Sequence, residues 1–387
     1  MSELFKAHRQ WAERPADERF WTLADMEGQA DVYRRSSTER EVPWAEFRAA
    51  SNDAGDIVIR TARGEAVPTH YAFSQICARA GMSAESMRKV PAHLAAPCIN
   101  YGFDSADREG NAICLLRAGT DGASLHAATT QIYSRIWNSQ ILGVVRRLAE
   151  DYGWKNPPAR PALPNQPGTR LATEEDVRGC RTIVKPGDQI APAGLYLSDH
   201  DMFAYLVNND RPIDDGTDGG LGRGLFISNS EVGAGSVSVT TFFYRWTCSN
   251  HIVWDASKVN RTRLVHKGNL DMFKVTKLIR ESMIDALSAD STPYVRKIQA
   301  AKALVLGKDV EDVVKTLYKQ RIQNLGQKVL RAAIGLGVED AVRWNYEPLS
   351  AWAAVQGITE FSQTLDAHGD ERLALDTAAA AVLQLAA

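Results

Sequence analysis

The sequence contains little cysteine, and its cysteines follow no metal-binding or disulfide pattern. Five cysteines occur in 387 residues, and none of them forms a CxxC pair. An odd number of scattered cysteines argues against a disulfide framework, and the absence of CxxC argues against a zinc ribbon. We therefore expect reduced thiols. Cys248 follows an apolar and aromatic stretch and is predicted to be a buried structural thiol.

Long apolar runs are also absent. The alanine-rich segment 373–387 is interrupted by Asp and Gln and is shorter than the roughly 20 residues that a membrane-spanning helix needs. The first 15 residues mix both signs of charge and lack the apolar stretch of a secretory signal. We expect a cytoplasmic protein without a membrane partner.

The motifs of several large enzyme classes are missing. The sequence contains no GxxxxGK[ST] phosphate loop, no GxGxxG between a strand and a helix, no HExxH and no GxSxG. The glycine-rich segment 216–224 lacks the Lys-Ser/Thr ending of a phosphate loop, so a mobile loop is the better interpretation. No cofactor or metal is expected, and no catalytic residue is assigned.

Basic residues are concentrated in one part of the chain, although the net charge is only −2. From Arg245 to Arg331 there are 17 Lys and Arg against 8 Asp and Glu, and the remainder is net acidic. Such asymmetry is typical of a surface that meets a polyanion. The alternative is a pair of helices whose lysine-rich outer faces are merely solvated.

Composition divides the chain into five parts and predicts an α+β fold. Five prolines within residues 156–168 exclude helix and central strand there, which indicates a stiff linker or a long surface loop. The fold class is antiparallel β-hairpins in the middle of the chain, helices packed on them, and a helical C-terminal part. The parts are a polar, loosely packed lead-in (1–65), an N-terminal α+β part (66–155), the proline-rich segment (156–168), a central β-hairpin part (169–268) and a helical part (269–387).

Capping and turn residues mark the ends of several elements. Thr69 is suited to begin a helix that ends at Gly81, and Asn269 and Asp309 are suited to begin two later helices. The segment GTDG at 119–122 predicts a β-hairpin between two strand-like runs.

The segment 224–254 predicts a long hairpin with two different faces. Alternation places Val237, Val239 and Phe243 on a face that should meet the core, and Tyr244 and Trp246 on the other face. The second face changes from hydroxyls to aromatic rings, and basic residues follow it directly. A groove that binds single-stranded nucleic acid contains aromatic rings that stack on bases and cations that neutralise phosphates, and this segment has both. The alternative is that the rings are core residues. The candidate binding residues are Tyr244, Arg245, Trp246, Lys258, Arg261, Arg263 and Lys267.

This region resembles the phage and plasmid-like proteins that share domain of unknown function 932. In that family an Asn-Ser segment with a glycine turn leads through a strand to a Cys-x-Asn signature. The matching residues are Asn229, Ser230, Gly233, Gly235, Cys248 and Asn250. The segment with Tyr133, Arg135 and Asn138 resembles another part of the family pattern, whereas Glu231 and His251 depart from it at positions where many members have Asp and Gly.

The resemblance implies a protein of mobile genetic elements, for which no reaction is assigned. Our first hypothesis is a protein that binds single-stranded nucleic acid, with DNA favoured, and that acts in annealing or recombination. The second is an enzyme acting on nucleic acid or nucleotides, with Mg²⁺ held by Asp199, His200 and Asp201 and by the loop acids Asp214, Asp215 and Asp218. The third is an oligomeric structural or host-interaction protein. The polar motif residues are expected to fix the hairpin backbone, and Gly233 and Gly235 are expected to take turn conformations with positive φ or to mark a bulge.

Overall fold

The computed structural model describes most of the chain from residue 16 onward. The residues described are 16–386, apart from 106–108, 120–121, 158, 163–166, 178–183, 193, 215–219, 246–259, 321, 323–324, 365–374, 376–377 and 380. The strands are β1 Ser37–Pro43, β2 Arg48–Ser51, β3 Ile57–Thr61, β4 Gly64–Pro68, β5 Asn111–Gly119, β6 Gly122–Thr130, β7 Arg160–Pro161, β8 Arg170–Leu171, β9 Gln189–Ala191, β10 Leu195–Leu197, β11 Met202–Ile213, β12 Leu221–Asn229, β13 Val237–Arg245 and β14 Asn260–Leu264. The helices are α1 Leu23–Arg35, α2 His70–Arg79, α3 Ala84–Arg88, α4 Ala92–Ser105, α5 Asn138–Tyr152, α6 Glu174–Val177, α7 Met272–Ser288, α8 Thr292–Ala303, α9 Val310–Lys319, α10 Gln327–Arg343 and α11 Ala351–Thr364.

A six-stranded sheet in the order β1-β5-β6-β4-β3-β2 forms the N-terminal part. The predicted hairpin is present, because β5 and β6 are antiparallel and pair Gly119 with Gly122. Helices α2 and α4 pack on the sheet and contribute Phe73, Ile76 and Phe103 to its core. This part therefore has its own hydrophobic core.

The expectation of a loosely packed lead-in over residues 1–65 is wrong for residues 16–65. They form α1 and three strands of the six-stranded sheet, and Met26 and Phe47 are completely buried. Strand β1 pairs along its whole length with β5, from Ser37 with Arg117 to Pro43 with Asn111. The polar sequence was misleading because most residues of β1 are exposed, and a strand of this kind lacks the apolar alternation that predicts it.

The central part is a five-stranded sheet in the order β10-β11-β12-β13-β14. All of its neighbouring strands are antiparallel, as predicted for the middle of the chain. One face packs on α1, α5 and α7 through a shared core that includes Leu225, Val237 and Val239. The face assigned to the core by alternation is therefore confirmed at Val237 and Val239.

The proline-rich segment contributes a short edge strand and is not only a linker. Arg160 pairs with Ala191 and Pro161 with Ile190, in a small three-stranded sheet where β9 is central. Proline is tolerated there because an edge strand can leave a position without a donated hydrogen bond.

The C-terminal part is helical, as predicted, and packs against the end of the central sheet through Phe243 and Tyr294. Helices α10 and α11 approach each other at Gly337 and Gly357. A Cβ atom added to Gly337 would lie 2.1 Å from the carbonyl oxygen of Ala353, and only glycine permits this separation.

The helix caps follow the sequence signals with one exception. Thr69 accepts a hydrogen bond from the Ala72 N–H, and Asp309 accepts one from the Asp312 N–H. Helix α7 is capped by Asp271, which accepts from the Lys274 N–H, and not by Asn269 as predicted. Asp and Asn are both strong N-cap residues, so composition alone does not decide between neighbouring positions.

Within the described residues, no helix combines the length and the apolar character that crossing a membrane requires.

Among the cysteines described, Cys77 and Cys114 are buried and Cys98 is exposed, and all three are free thiols. Burial raises the pKa of Cys77 to about 11 and that of Cys114 to about 12, so both are poor nucleophiles at neutral pH.

Candidate nucleic-acid interface

The polar residues of the family-like motif lie in a buried network where the two large sheets meet. Asn229 ends β12 and donates from its side-chain amide to the Ile136 carbonyl (3.0 Å) and to the Asn138 Oδ1 (2.7 Å). The two motif segments noted in the sequence, around Asn138 and around Asn229, are thus in direct contact. Sequence reasoning named both segments but did not predict that they meet.

Ser230 holds the turn that follows β12. Its Oγ accepts from the N–H groups of Val232 (3.3 Å) and Ala234 (2.9 Å), and it donates to the His200 carbonyl (2.6 Å). Gly233 has a φ of +92°, whereas Gly235 does not lie in the left-handed region. The expectation of positive φ or a bulge is therefore confirmed for Gly233 by its φ. Gly235 has neither a positive φ nor a register shift beside it, and the hydrogen bonds of the Ser230 Oγ hold the turn there.

Glu231 caps helix α5 from a distant part of the chain. Its Oε1 accepts from the Asn138 N–H at 2.6 Å, and the carboxyl is buried at the positive end of the helix. Burial raises the pKa of Glu231, against the opposing effects of this hydrogen bond and of the nearby guanidinium groups of Arg117, Arg135 and Arg34. Glu231 therefore has a defined structural role.

Arg135 and Tyr133 join the turn to the first sheet. The Arg135 guanidinium donates to the Glu231 carbonyl and pairs with Glu39, and its side chain is only 4% exposed. The Tyr133 hydroxyl donates to the Ser230 carbonyl at 2.7 Å. These contacts link strand β1, the segment before α5 and the turn after β12.

The same network fixes the chain as it leaves β14. The Tyr133 ring stacks on His266 with centroids 5.0 Å apart, and His266 Nδ1 donates to the Ser134 carbonyl at 2.9 Å. Tyr133 and Lys267 form an isolated β-bridge, and the Gly268 N–H donates to the Ile132 carbonyl at 3.3 Å. The backbone of Lys267 is therefore held in place by the motif residues.

An exposed basic surface begins at this point. We define the basic surface as the exposed cations at and beside the edge strand β14, namely Arg263 of β14, Lys267 after it, and Lys274, Lys277 and Arg280 of α7. Arg263 pairs with Ser238, so its side chain lies on the face of the sheet opposite to Val237 and Val239, which pack on α7. Phe273 is also on α7 and is 78% exposed, more than any other large apolar residue in the described ranges. Phe273, Lys277 and Arg280 are four and three residues apart, so they follow one side of α7.

The basic surface carries little compensating charge. Among the described residues, no carboxylate forms a salt bridge with Arg263 or Lys267. Lys277 contacts Glu281 at 3.8 Å with both side chains more than half exposed, an arrangement that is worth little in water. Arg280 donates to the Tyr152 hydroxyl at 3.2 Å, and the nearby carboxylate is that of Asp151.

The structure locates only some of the candidate binding residues. Arg263 and Lys267 are exposed and belong to the basic surface. Arg261 pairs with Thr240, and Arg245 and Tyr244 pair with Leu221 and Gly222, in the strand register. Trp246, Lys258, Cys248 and Asn250 lie outside the described residues.

The aromatic residues of β13 that the structure does describe belong to the interior. Phe242 and Phe243 are buried, and Phe242 packs against Tyr205 with centroids 6.4 Å apart. For these two rings the core interpretation is confirmed. The sequence did not single out Phe273, because it stands in an amphipathic helix, where an aromatic residue normally faces the core. The feature that could have indicated its exposure is its position beside Lys274, outside the apolar stripe of the helix.

The acids proposed to hold Mg²⁺ are engaged with neighbouring side chains. Asp199 Oδ1 lies 2.6 Å from His200 Nδ1, and Asp201 Oδ1 accepts from the Ser198 hydroxyl at 2.6 Å. Asp214 is exposed, and Asp215 and Asp218 lie outside the described residues. In the part of the chain that the structure describes, no three His, Cys, Asp or Glu side chains are arranged to hold a metal ion.

Comparison with known proteins gives no relative from which a role could be transferred. No family model, no curated protein and no solved structure matches the chain.

Proposed function

We propose that the protein binds single-stranded nucleic acid along the basic surface, with DNA favoured by the resemblance to mobile-element proteins. The observation that carries this proposal is a set of five exposed cations at and beside the sheet edge, with an exposed aromatic ring on the helix that bears three of them, at Arg263, Lys267, Lys274, Lys277, Arg280 and Phe273. Cations neutralise phosphates and release their counterions, and a ring stacks on a base of any sequence.

The surroundings of Phe273 favour an unpaired strand. An exposed ring offers a flat apolar face on which a base can stack. Bases of a single strand offer such faces, whereas those of a duplex are already stacked on one another. The ring therefore supports single strands over duplexes.

The buried network supports the proposal because it makes the basic surface rigid at one end. Tyr133 and His266 hold the backbone beside Lys267, and Lys274 donates to the Asn269 carbonyl. Cations that are already in place lose less conformational entropy on binding.

Fluorescence anisotropy with labelled single-stranded and duplex oligonucleotides, over a series of salt concentrations, tests the proposal. Replacing Arg263 and Lys267 together by Ala should weaken binding at low salt and flatten the slope of log K against log salt by about 1.4, at about 0.7 per phosphate contact. Phe273→Ala should instead cost about 1–3 kcal/mol with little change in slope.

The matched control removes two exposed cations from the N-terminal part, Arg48 and Lys89, which changes the net charge equally. This control should bind like wild type. The proposal fails if wild type shows no salt-sensitive binding, if the Arg263 and Lys267 double variant binds like wild type, or if the control pair flattens the slope as much.

A further inference from the structure

The six-stranded sheet curls around an open cleft that is separate from the basic surface. The cleft has a volume of about 180 Å³ and is lined by residues of β1, β3, β4, β5 and β6. Strands β1 and β3 are not neighbours in the sheet, so their meeting across one cavity shows that the sheet bends towards a closed form. Helices α2 and α4 fill the rest of this concave side.

The inner wall of the cleft is apolar. Val42, Phe47, Ile59, Cys114 and Leu125 line it, and all five are buried. Such a wall offers dispersion contacts but few hydrogen bonds. It suits an alkyl chain or a plain aromatic ring, and it disfavours a nucleobase, because the polar edges of a base would be left without partners.

The mouth of the cleft is basic. Arg40 and Arg63 line the cleft and are exposed, and neither forms a salt bridge with a carboxylate in the described ranges. Two further charged groups line the cleft: Glu65, which pairs with Arg60 at 3.0 Å, and Arg117, whose guanidinium donates to the Ser37 hydroxyl at 3.3 Å and lies over the Tyr33 ring. The Glu41 carboxylate, which lies near Arg63, already accepts hydrogen bonds from Asn111 and Gln131.

We propose that this cleft binds a small amphipathic carboxylate, with its apolar tail against the inner wall and its carboxylate at Arg40 and Arg63. The volume of about 180 Å³ corresponds to about six groups of water size, at roughly 30 Å³ each. A short alkyl chain of about this many carbons fits the space. Guanidinium groups bind carboxylates through paired, charge-assisted hydrogen bonds, which selects this head group over an alcohol or an amine.

Isothermal titration calorimetry on the full chain tests the proposal with three probes that each contain eight carbons: octanoate, octanol and octylamine. Octanoate should bind, octanol should bind roughly tenfold more weakly, and octylamine should give no detectable heat, because the mouth carries like charge. Replacing Arg40 and Arg63 together by Gln should weaken octanoate roughly tenfold, to the level of octanol, and should leave octanol unchanged.

A second variant tests the cavity separately from the charge. Ala123 lines the cleft on β6 and is exposed, so Ala123→Leu should narrow the cleft without disturbing the core. It should weaken octanoate and octanol alike, and unchanged thermal melting shows that the fold is intact. Arg48→Gln with Lys89→Gln is the charge-matched control and should bind octanoate like wild type.

Four results would overturn the assignment. The first is that octanoate does not bind at millimolar concentration, and the second is that the double Arg variant binds octanoate as tightly as wild type does. The third is that Ala123→Leu binds octanoate and octanol as tightly as wild type does. The fourth is that a nucleoside monophosphate binds in the same cleft more tightly than octanoate does. The last result would assign the cleft to a nucleotide.

Discussion

His126 is predicted to make the protein lose stability as the pH falls below neutral. The side chain lies on β6 and is only 5% exposed, and its Nε2 is 2.9 Å from the Ser124 Oγ. Burial, with a further contribution from the Arg117 charge, lowers the pKa of His126 from 6.5 to about 4, although Asp199 opposes the shift. The folded protein therefore holds this imidazole neutral.

The size of the effect follows from the difference in pKa between the folded and unfolded chains. Because the folded pKa is lower, the unfolded chain binds the proton more tightly, and stability rises with pH between the two values. The contribution is complete above pH 6.5 and is lost as the pH falls towards 4. At 1.36 kcal/mol per pKa unit the full loss is about 3 kcal/mol. His266, whose pKa is also lowered by burial, adds to the loss, whereas the raised pKa of Glu231 opposes it.

Urea unfolding of wild type and His126→Gln at several pH values from 7.5 to 4.5 measures the effect. Wild type should lose about 2–3 kcal/mol more than His126→Gln over this range, since glutamine cannot take up the proton. His93→Gln is the matched control, because it removes one imidazole at an exposed position on α4 and leaves the buried site of His126 intact. Equal slopes for wild type and His126→Gln, or an NMR titration of His126 near pH 6.5, would refute the reasoning.

Two sets of glycine substitutions test the packing and the turn. Gly337→Ala and Gly357→Ala should each destabilise the protein by about 1–3 kcal/mol, because the added Cβ would lie 2.1 Å and 2.0 Å from backbone carbonyls of the facing helix. Gly335→Ala is the control: it lies in open space on α10 and should be neutral or stabilising. A similar loss of stability in all three variants would contradict the packing argument. Gly233→Ala should cost about 1–2 kcal/mol because its φ is +92°. Gly235→Ala should change stability by less than about 0.5 kcal/mol, since its Cβ would meet one atom at 4.0 Å, and thermal melting of both variants checks this difference.

Local signals in the sequence predicted the elements that local interactions determine. The cap at Thr69, the glycine end at Gly81 and the hairpin at 119–122 depend on residues within a few positions of each other, and the structure has all three. The same holds for the alternation that turned Val237 and Val239 towards the core. Short-range backbone geometry constrains such features before any tertiary contact forms.

Pairing between distant segments could not be predicted in this way. Strand β1 finds its partner β5 about seventy residues later, and its exposed residues Thr38, Glu39, Arg40 and Glu41 give no alternation of apolar and polar positions. Exposed polar side chains give β1 little preference for the β conformation, so this conformation depends on the backbone hydrogen bonds with β5. The amphipathic carboxylate cleft was missed for the same reason, because its walls come from β1 and β3, which only the curled sheet brings together.

The motif residues show why a polar pattern alone does not identify a binding site. Asn229, Ser230 and Glu231 are buried, and their side chains contact two distant segments: Asn229 and Glu231 both contact Asn138 at the start of α5, and Ser230 contacts the His200 carbonyl. Burying polar groups is costly unless they are hydrogen-bonded, so these contacts favour one arrangement of the two sheets. That arrangement holds Tyr133 against His266 and so fixes the start of the basic surface. The hydrogen bonds of these residues are used inside the protein, so the proposal of nucleic-acid binding rests on the exposed cations and on Phe273 and not on the motif residues.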